Sequence, residues 1–107
     1  LNLLFICSKN QWRSPTAEAV FKNHPYHHAQ SAGTENGARI KVSEKHIRWA
    51  DLIFVMEKKH KQRLQQFFPE LINQKEVIVL DIPDDYQFMD AELIEMIKVS
   101  VNSYLEA

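Results

Sequence analysis

The chain has 107 residues, 45% of them hydrophobic, which suits a single domain over residues 1–107 with one buried core and argues against disorder. Lys plus Arg number 13 and Asp plus Glu 14, so there is no net basic field to hold nucleic acid. No apolar run approaches a membrane span, no signal peptide is evident, and one cysteine allows no internal disulfide, so a reducing cytoplasm is the expected compartment.

Residues 1–7 (LNLLFIC) form a nearly continuous apolar run, the pattern of a strand buried on both faces. From Ser14 the pattern turns helical. Ala17, Val20 and Phe21 recur at helical spacing, Pro15 suits a first turn, and His24-Pro25 closes the helix. Residues 27–32 (HHAQSA) can form a second strand, and residues 33–40, which hold both glycines, are turn-like. A helix is expected near residues 43–50 with Ser43 as its cap, running into a third strand over 51–56 (DLIFVM). Residues 57–68 (EKKHKQRLQQFF) read as an exposed helix stopped by Pro69. Residues 77–80 (VIVL) read as a fourth strand and 81–90 as a loop. Leu93, Ile94, Ile97, Val101 and Leu105 then give a wide apolar stripe on a C-terminal helix.

Strands alternating with helices predict right-handed crossovers and an α/β fold of three layers, α/β/α, around a central four-stranded parallel sheet. Ligands of such folds bind at the carboxyl ends of the strands. Cys7 ends the first strand and Asp81 follows the fourth, so both lie on that edge.

The loop of residues 7–13 (CSKNQWR) joins a strand to a helix, and such loops turn successive backbone N–H groups toward an anion. The helix start adds partial positive charge, and Arg13 adds a fixed cation with a fork suited to two phosphate oxygens. These surroundings favour the thiolate of Cys7, to which the Ser14 hydroxyl can donate. The loop can therefore hold a phosphate dianion with a nucleophile beneath it. A lone cysteine at a strand end is more often a small buried hydrophobe; the arginine at this spacing, with Ser-Pro and a helix start, turns the balance toward a site.

The spacing C-x5-R-S followed by P resembles the signature of the low-molecular-weight protein tyrosine phosphatases. Asn10 matches that family's loop asparagine, Ser14-Pro15-Thr16-Ala17-Glu18 its helix start, and Ser31-Ala32-Gly33-Thr34 its SAGT segment. Residues 50–57 (ADLIFVME) resemble its third strand, and Ile82-Pro83-Asp84-Asp85-Tyr86 the loop carrying its general acid. The resemblance touches most of the chain in order, although the chain is shorter than a typical member. It implies a phosphocysteine intermediate on Cys7, phosphate binding by Arg13 and by the loop residues Ser8, Lys9, Asn10, Gln11 and Trp12, and support of the loop and thiolate by Asn10 and Ser14, with Ser31 behind Asn10.

Phosphoryl transfer to a cysteine expels an alkoxide or phenoxide, and a nearby carboxylic acid lowers that barrier. Asp81, Asp84, Asp85 and Asp90 are available. Register with the family motif selects Asp84, and Asp85, standing where the family has proline, is the second candidate. Tyr86 either flanks an aromatic substrate ring or is a half-buried loop residue.

Three departures are informative. Lys9 replaces a glycine, and because lysine tolerates positive φ poorly the loop is expected to differ in detail. Trp12 replaces a second cysteine found in many members. It either lines the pocket mouth or packs, and its presence leaves Cys7 open to peroxide. Residues 35–40 lack the aromatic residue the family often carries there, so tyrosine specificity is less firmly implied than phosphatase chemistry.

The run Lys58-Lys59-His60-Lys61 reads as a solvated face, and the five histidines show no zinc-ligand spacing; no metal or other cofactor is expected. Met89, Met96 and Leu93 read as core. Expected partners are a phosphorylated protein or a small phosphomonoester, with neither nucleic acid nor membrane, and the chain is taken as a monomer. Three other functions compete. An arsenate reductase needs further cysteines, a phosphocysteine carrier needs neither Arg13 nor an acid, and an inactive phosphate-binding module would follow if Lys9 spoiled the loop.

Overall fold

The computed structural model describes residues 1–106. The elements in order are β1 (Asn2–Cys7), α1 (Arg13–Phe21), β2 (His28–Gly33), α2 (Glu44–Trp49), β3 (Leu52–Val55), α3 (Lys58–Phe67), α4 (Pro69–Asn73), β4 (Glu76–Val79) and α5 (Ala91–Leu105). The four strands form one parallel sheet in the order β2-β1-β3-β4, flanked by helices, as the alternating pattern predicts.

The apolar run of β1 is explained by its central position. Its side chains alternate between two cores, which a parallel strand covered on both faces requires. Leu3, Phe5 and Cys7 join Ala17 and Phe21 of α1 and Leu93, Ile97 and Val101 of α5. Leu4 and Ile6 face the other way, toward Ile47 of α2, Leu64 of α3 and Ile72 of α4. Phe5 is stacked between Phe21 and Phe54, with ring centroids 5.7 and 5.4 Å away.

The chain leaves β1 for β2 on one side and later returns to β3 on the other. The loop after β1 therefore opens into the crevice at this reversal of strand order, where open parallel sheets bind ligands.

Two helix starts share a device. At α2 the Ser43 N–H donates to His46 Nδ1 at 3.0 Å, and at α3 the Glu57 N–H donates to His60 Nδ1 at 3.0 Å. In each, a histidine three residues into the helix does the work usually given to Glu or Gln in a capping box.

Pro69 acts differently from the sequence expectation. It ends α3, whose last bond runs from the Phe68 N–H to Leu64 O at 2.8 Å, but it also opens α4, because the first helical position needs no intrahelical N–H. Met89, expected in the core, is instead exposed on the loop before α5, where its N–H donates to Thr16 Oγ1 at 2.9 Å. Among the described residues no helix is long and apolar enough to cross a membrane.

Truncating Phe5 to alanine removes the middle ring of this stack and leaves a cavity beside the strand that ends in Cys7. The expected loss is about 3–5 kcal/mol of unfolding free energy, read from urea denaturation followed by circular dichroism; a loss under about 1 kcal/mol would contradict this packing.

Candidate active site

The loop between β1 and α1 owes its shape to the segment after β2. Four consecutive carbonyls are drawn outward. Cys7 O accepts from the Thr34 N–H at 3.1 Å, Ser8 O from the Glu35 N–H at 3.0 Å and Lys9 O from the Arg39 N–H at 2.9 Å. Asn10 O accepts from Arg39 Nε at 3.0 Å. The N–H of Asn10 turns the other way and donates to Cys7 Sγ at 3.3 Å. Among the described residues the amides of Ser8, Lys9, Gln11 and Trp12 have no protein partner, the condition for an anion-binding nest.

Gly33 makes this clamp possible. A Cβ there would stand 2.6 Å from Ser8 O and 2.7 Å from the Ala38 Cβ, so no side chain fits between the two segments. The loop's left-handed residue is Asn10, at φ 55°, and asparagine accepts that conformation far better than lysine does. Lys9 stays out of that region, so the strain expected from replacing glycine at position 9 does not arise.

Cys7 lies at the floor of the pocket with 3% of its surface exposed. Three of the hydrogen bonds beneath it have an assigned direction. Asn10 Nδ2 donates to Ser14 Oγ and to Ser31 Oγ, each at 2.9 Å, and Ser31 Oγ donates to Glu18 Oε1. Ser14 accepts from Asn10 with one lone pair and has one proton to give, for which two acceptors are in reach: Cys7 Sγ at 3.0 Å and Ala32 O at 3.5 Å. The Asn10 N–H donates to the sulfur, and a thiolate there, having no proton to give, would receive the Ser14 O–H as well.

Arg13 is 2% exposed, yet it is the first residue of α1. Its Nη1 donates to Glu57 Oε2 at 2.5 Å and to Ile82 O at 2.9 Å, and its Nε lies 3.5 Å from Asp84 Oδ1. Burial pushes the Glu57 carboxyl up. The hydrogen bond and charge of Arg13, aided by Lys59 and His60, outweigh that and hold it below the usual carboxylate range.

The pocket above the sulfur encloses about 250 Å³ and is lined by Cys7, Ser8, Lys9, Gln11, Trp12 and Arg13, with Glu35, Lys59 and Asp84 completing the wall. Trp12, 44% exposed, stands at its mouth. Asn10, Ser14 and Ser31 are buried below the sulfur, where they hold the loop and do not reach the opening. Of the four loop aspartates Asp84 lines the pocket. Asp85 is exposed outside it, Asp81 sits in the left-handed region at φ 56°, and Asp90 caps α5 by accepting from the Glu92 and Leu93 N–H groups. Tyr86 is half-buried against the core under α5 and is not among the lining residues. Among the described residues no group of three or more His, Cys, Asp or Glu side chains could hold a metal ion.

Sequence reasoning missed Glu18, Arg39, Glu57 and above all His60. Read as part of a solvated face, His60 is in fact 1% exposed, with Nε2 at 2.8 Å from Ser8 Oγ. Burial, reinforced by the charges of Arg13 and Lys59 against the opposing pull of Glu57, lowers its pKa from 6.5 to about 4. The signal available was positional: Glu57 follows the third strand on the ligand-binding edge, and His60 stands three residues further on, at helix spacing.

Comparison with known proteins agrees with the resemblance. The family model of the low molecular weight phosphotyrosine protein phosphatases matches residues 2–42, from the first strand through the clamp. The structure is similar to that of the tyrosine phosphatase Wzb from Escherichia coli K30, solved in complex with phosphate, with TM-score 0.80 and 22% identity over 98% of this chain and 96% of that one. It is similar to a low molecular weight protein tyrosine phosphatase from Streptococcus pyogenes, with TM-score 0.81 and 16% identity over 98% and 91%. It is also similar to the arginine phosphatase YwlE from Geobacillus stearothermophilus, with TM-score 0.71 and 21% identity over 98% and 94%. No curated protein matches the chain by sequence.

Two outcomes follow from this geometry. Between pH 6.5 and about 4 the unfolded chain binds a proton at His60 that the folded chain refuses, so stability falls on acidification through that window and levels off below it. The full effect is roughly 3 kcal/mol. Glu57 adds a separate loss at lower pH, as its depressed folded-state value is crossed. His60→Gln should remove the first window from a plot of unfolding free energy against pH, and an unchanged slope would count against the burial described. Gly33→Ala should push the loop off its clamp, seen as loss of the chemical-shift pattern of residues 8–12 in an NMR spectrum of a chain that remains folded.

Proposed function

We propose that this chain is a phosphomonoester hydrolase, a cysteine-dependent protein tyrosine phosphatase of the low-molecular-weight type. The observation that carries the reading is the convergence of a sulfur held by a hydroxyl and an amide N–H, a cradle of amides without a partner among the described residues and a buried arginine on one small pocket. In the first step Cys7 Sγ attacks phosphorus, the bond from phosphorus to the leaving oxygen breaks, and Asp84 delivers a proton to that oxygen. In the second step Asp84, now a carboxylate, takes a proton from water as the water oxygen attacks the phosphocysteine. The bond from phosphorus to sulfur breaks, releasing inorganic phosphate and restoring the thiolate.

Arg13 and the amides of Ser8, Lys9, Gln11 and Trp12 bind the equatorial oxygens, whose charge must be stabilised as phosphoryl transfer proceeds. Trp12 offers a face on which an aromatic leaving group stacks, which favours phosphotyrosine over aliphatic phosphoesters. Phosphorylated protein is accordingly the substrate class, and a reducing compartment such as the cytoplasm suits a nucleophile that works as a free thiolate. The competing idea of an inactive binding module drew on strain at Lys9; with Asn10 as the loop's left-handed residue, that ground for inactivity falls away.

The test is hydrolysis of p-nitrophenyl phosphate without added metal. Wild type should turn over, Cys7→Ser should give no product, and Asp84→Asn should slow turnover by about 10²–10⁴-fold, most on substrates with poor leaving groups. Absence of both turnover and a single-turnover burst in wild type would sink the proposal. A near-normal Asp84→Asn would move the acid to Asp85.

A further inference from the structure

We infer that the Ser8 hydroxyl is a side-chain hydrogen-bond donor to the bound phosphate, and that His60 is the positioning residue that aims it. The substrate role of that donor rests on the phosphatase reading above; the donor itself does not. His60 Nδ1 accepts the Glu57 N–H at 3.0 Å, so that nitrogen carries no proton. A neutral imidazole then carries its proton on Nε2, and Nε2 lies 2.8 Å from Ser8 Oγ. His60 is therefore the donor in this pair and Ser8 the acceptor. The hydroxyl proton of Ser8 is left free to point elsewhere, and Ser8 lines the pocket beside Cys7.

The same tautomer excludes a different role. A histidine that activates a serine nucleophile must accept the serine proton on a bare Nε2, usually with Nδ1–H held by a carboxylate. Here Nδ1 is held by a donor, so the pair orients a hydroxyl and does not create a second nucleophile. His60 lies outside the lining of the Cys7 pocket, so whatever it contributes there passes through Ser8. Burial beside Arg13 and Lys59 favours the neutral ring throughout the range in which phosphate is a dianion. Glu57 thus serves two anion donors: its carboxylate holds Arg13, and its N–H fixes the tautomer that aims Ser8.

The decisive experiment measures inorganic phosphate affinity by calorimetry for wild type, Ser8→Ala, His60→Asn, His60→Gln and the double variant Ser8→Ala/His60→Asn, with p-nitrophenyl phosphate kinetics alongside. Asparagine can cap the Glu57 N–H but falls short of Ser8, whereas glutamine extends an N–H toward it. Ser8→Ala and His60→Asn should each weaken phosphate binding about tenfold, the double variant no further, and His60→Gln should stand near wild type. The ¹⁵N spectrum of wild type should show His60 protonated at Nε2 and bare at Nδ1.

Additive losses, unchanged affinity in Ser8→Ala, absence of phosphate binding by wild type, or an Nδ1–H tautomer would each overturn the inference. If His60→Asn does not fold, the Ser8→Ala affinity and the tautomer still decide. Phosphate binding with this pattern but without turnover would refute the phosphatase reading and leave the inference standing.

Discussion

A buried guanidinium constrains the carboxyl edge of this sheet more than any other group. Arg13 opens α1 with 2% of its surface exposed, and an unpaired charge there would cost several kcal/mol. Its partners come from two other segments: Glu57, just beyond β3, and the Ile82 carbonyl, beyond β4. The cation therefore fixes where three separate pieces of chain meet. Both protein hydrogen bonds use Nη1, which leaves the side of the fork bearing Nε beside Asp84 at 3.5 Å. On the phosphatase reading a phosphate competes with Asp84 for that edge, so substrate binding itself frees the carboxyl group to turn toward the leaving oxygen.

The sulfur is set by a second constraint, the direction in which hydrogen bonds can run. Glu18 can only accept when ionised, so Ser31 must give it a proton and Asn10 must donate to Ser31; Ser14, held by the second Asn10 proton, donates to Cys7 when the sulfur is a thiolate. Asn10 Oδ1 has no partner among the described residues, although it is buried. Leaving a buried carbonyl unpaired lowers stability, and here that loss accompanies the use of both Nδ2 protons to orient the site.

Legibility of the site in the sequence divides by range. The apolar run ending in Cys7, the C-x5-R spacing and the helix start lie within some twenty residues, and local pattern was enough to read them and the alternation that builds the sheet. Asp84 was legible through register with the family motif. Arg39, Glu57 and His60 were not, because each acts on the loop from 29 to 52 residues away, and nothing in a charged helical run such as EKKHK distinguishes a side chain turned inward from its solvated neighbours. Gly33 lies in the Ser31-Ala32-Gly33-Thr34 segment, but the reason for a glycine there, the approach of Ser8 O, is a tertiary fact. Pro69 is both a stop and a start: its missing N–H prevents α3 from continuing, whereas the first position of α4 needs no N–H, and only the tertiary setting says that a second helix follows.

Histidine is the residue that meets all the demands at position 60. A glutamate there would cap the Glu57 N–H in the usual manner, but it would bring a second carboxylate close to the Arg13 ion pair and, on the functional reading, to a phosphate dianion. A lysine would attract the dianion but has no lone pair to accept the Glu57 N–H. An asparagine could cap but would fall short of Ser8. A neutral imidazole accepts on one nitrogen and donates on the other across the width of its ring, and it does so without adding a charge to a pocket wall already bearing Lys9, Arg13 and Lys59. The burial that keeps His60 neutral is thus part of how the helix start and the anion loop are joined: the cap of α3 and the aim of Ser8 are two ends of one ring.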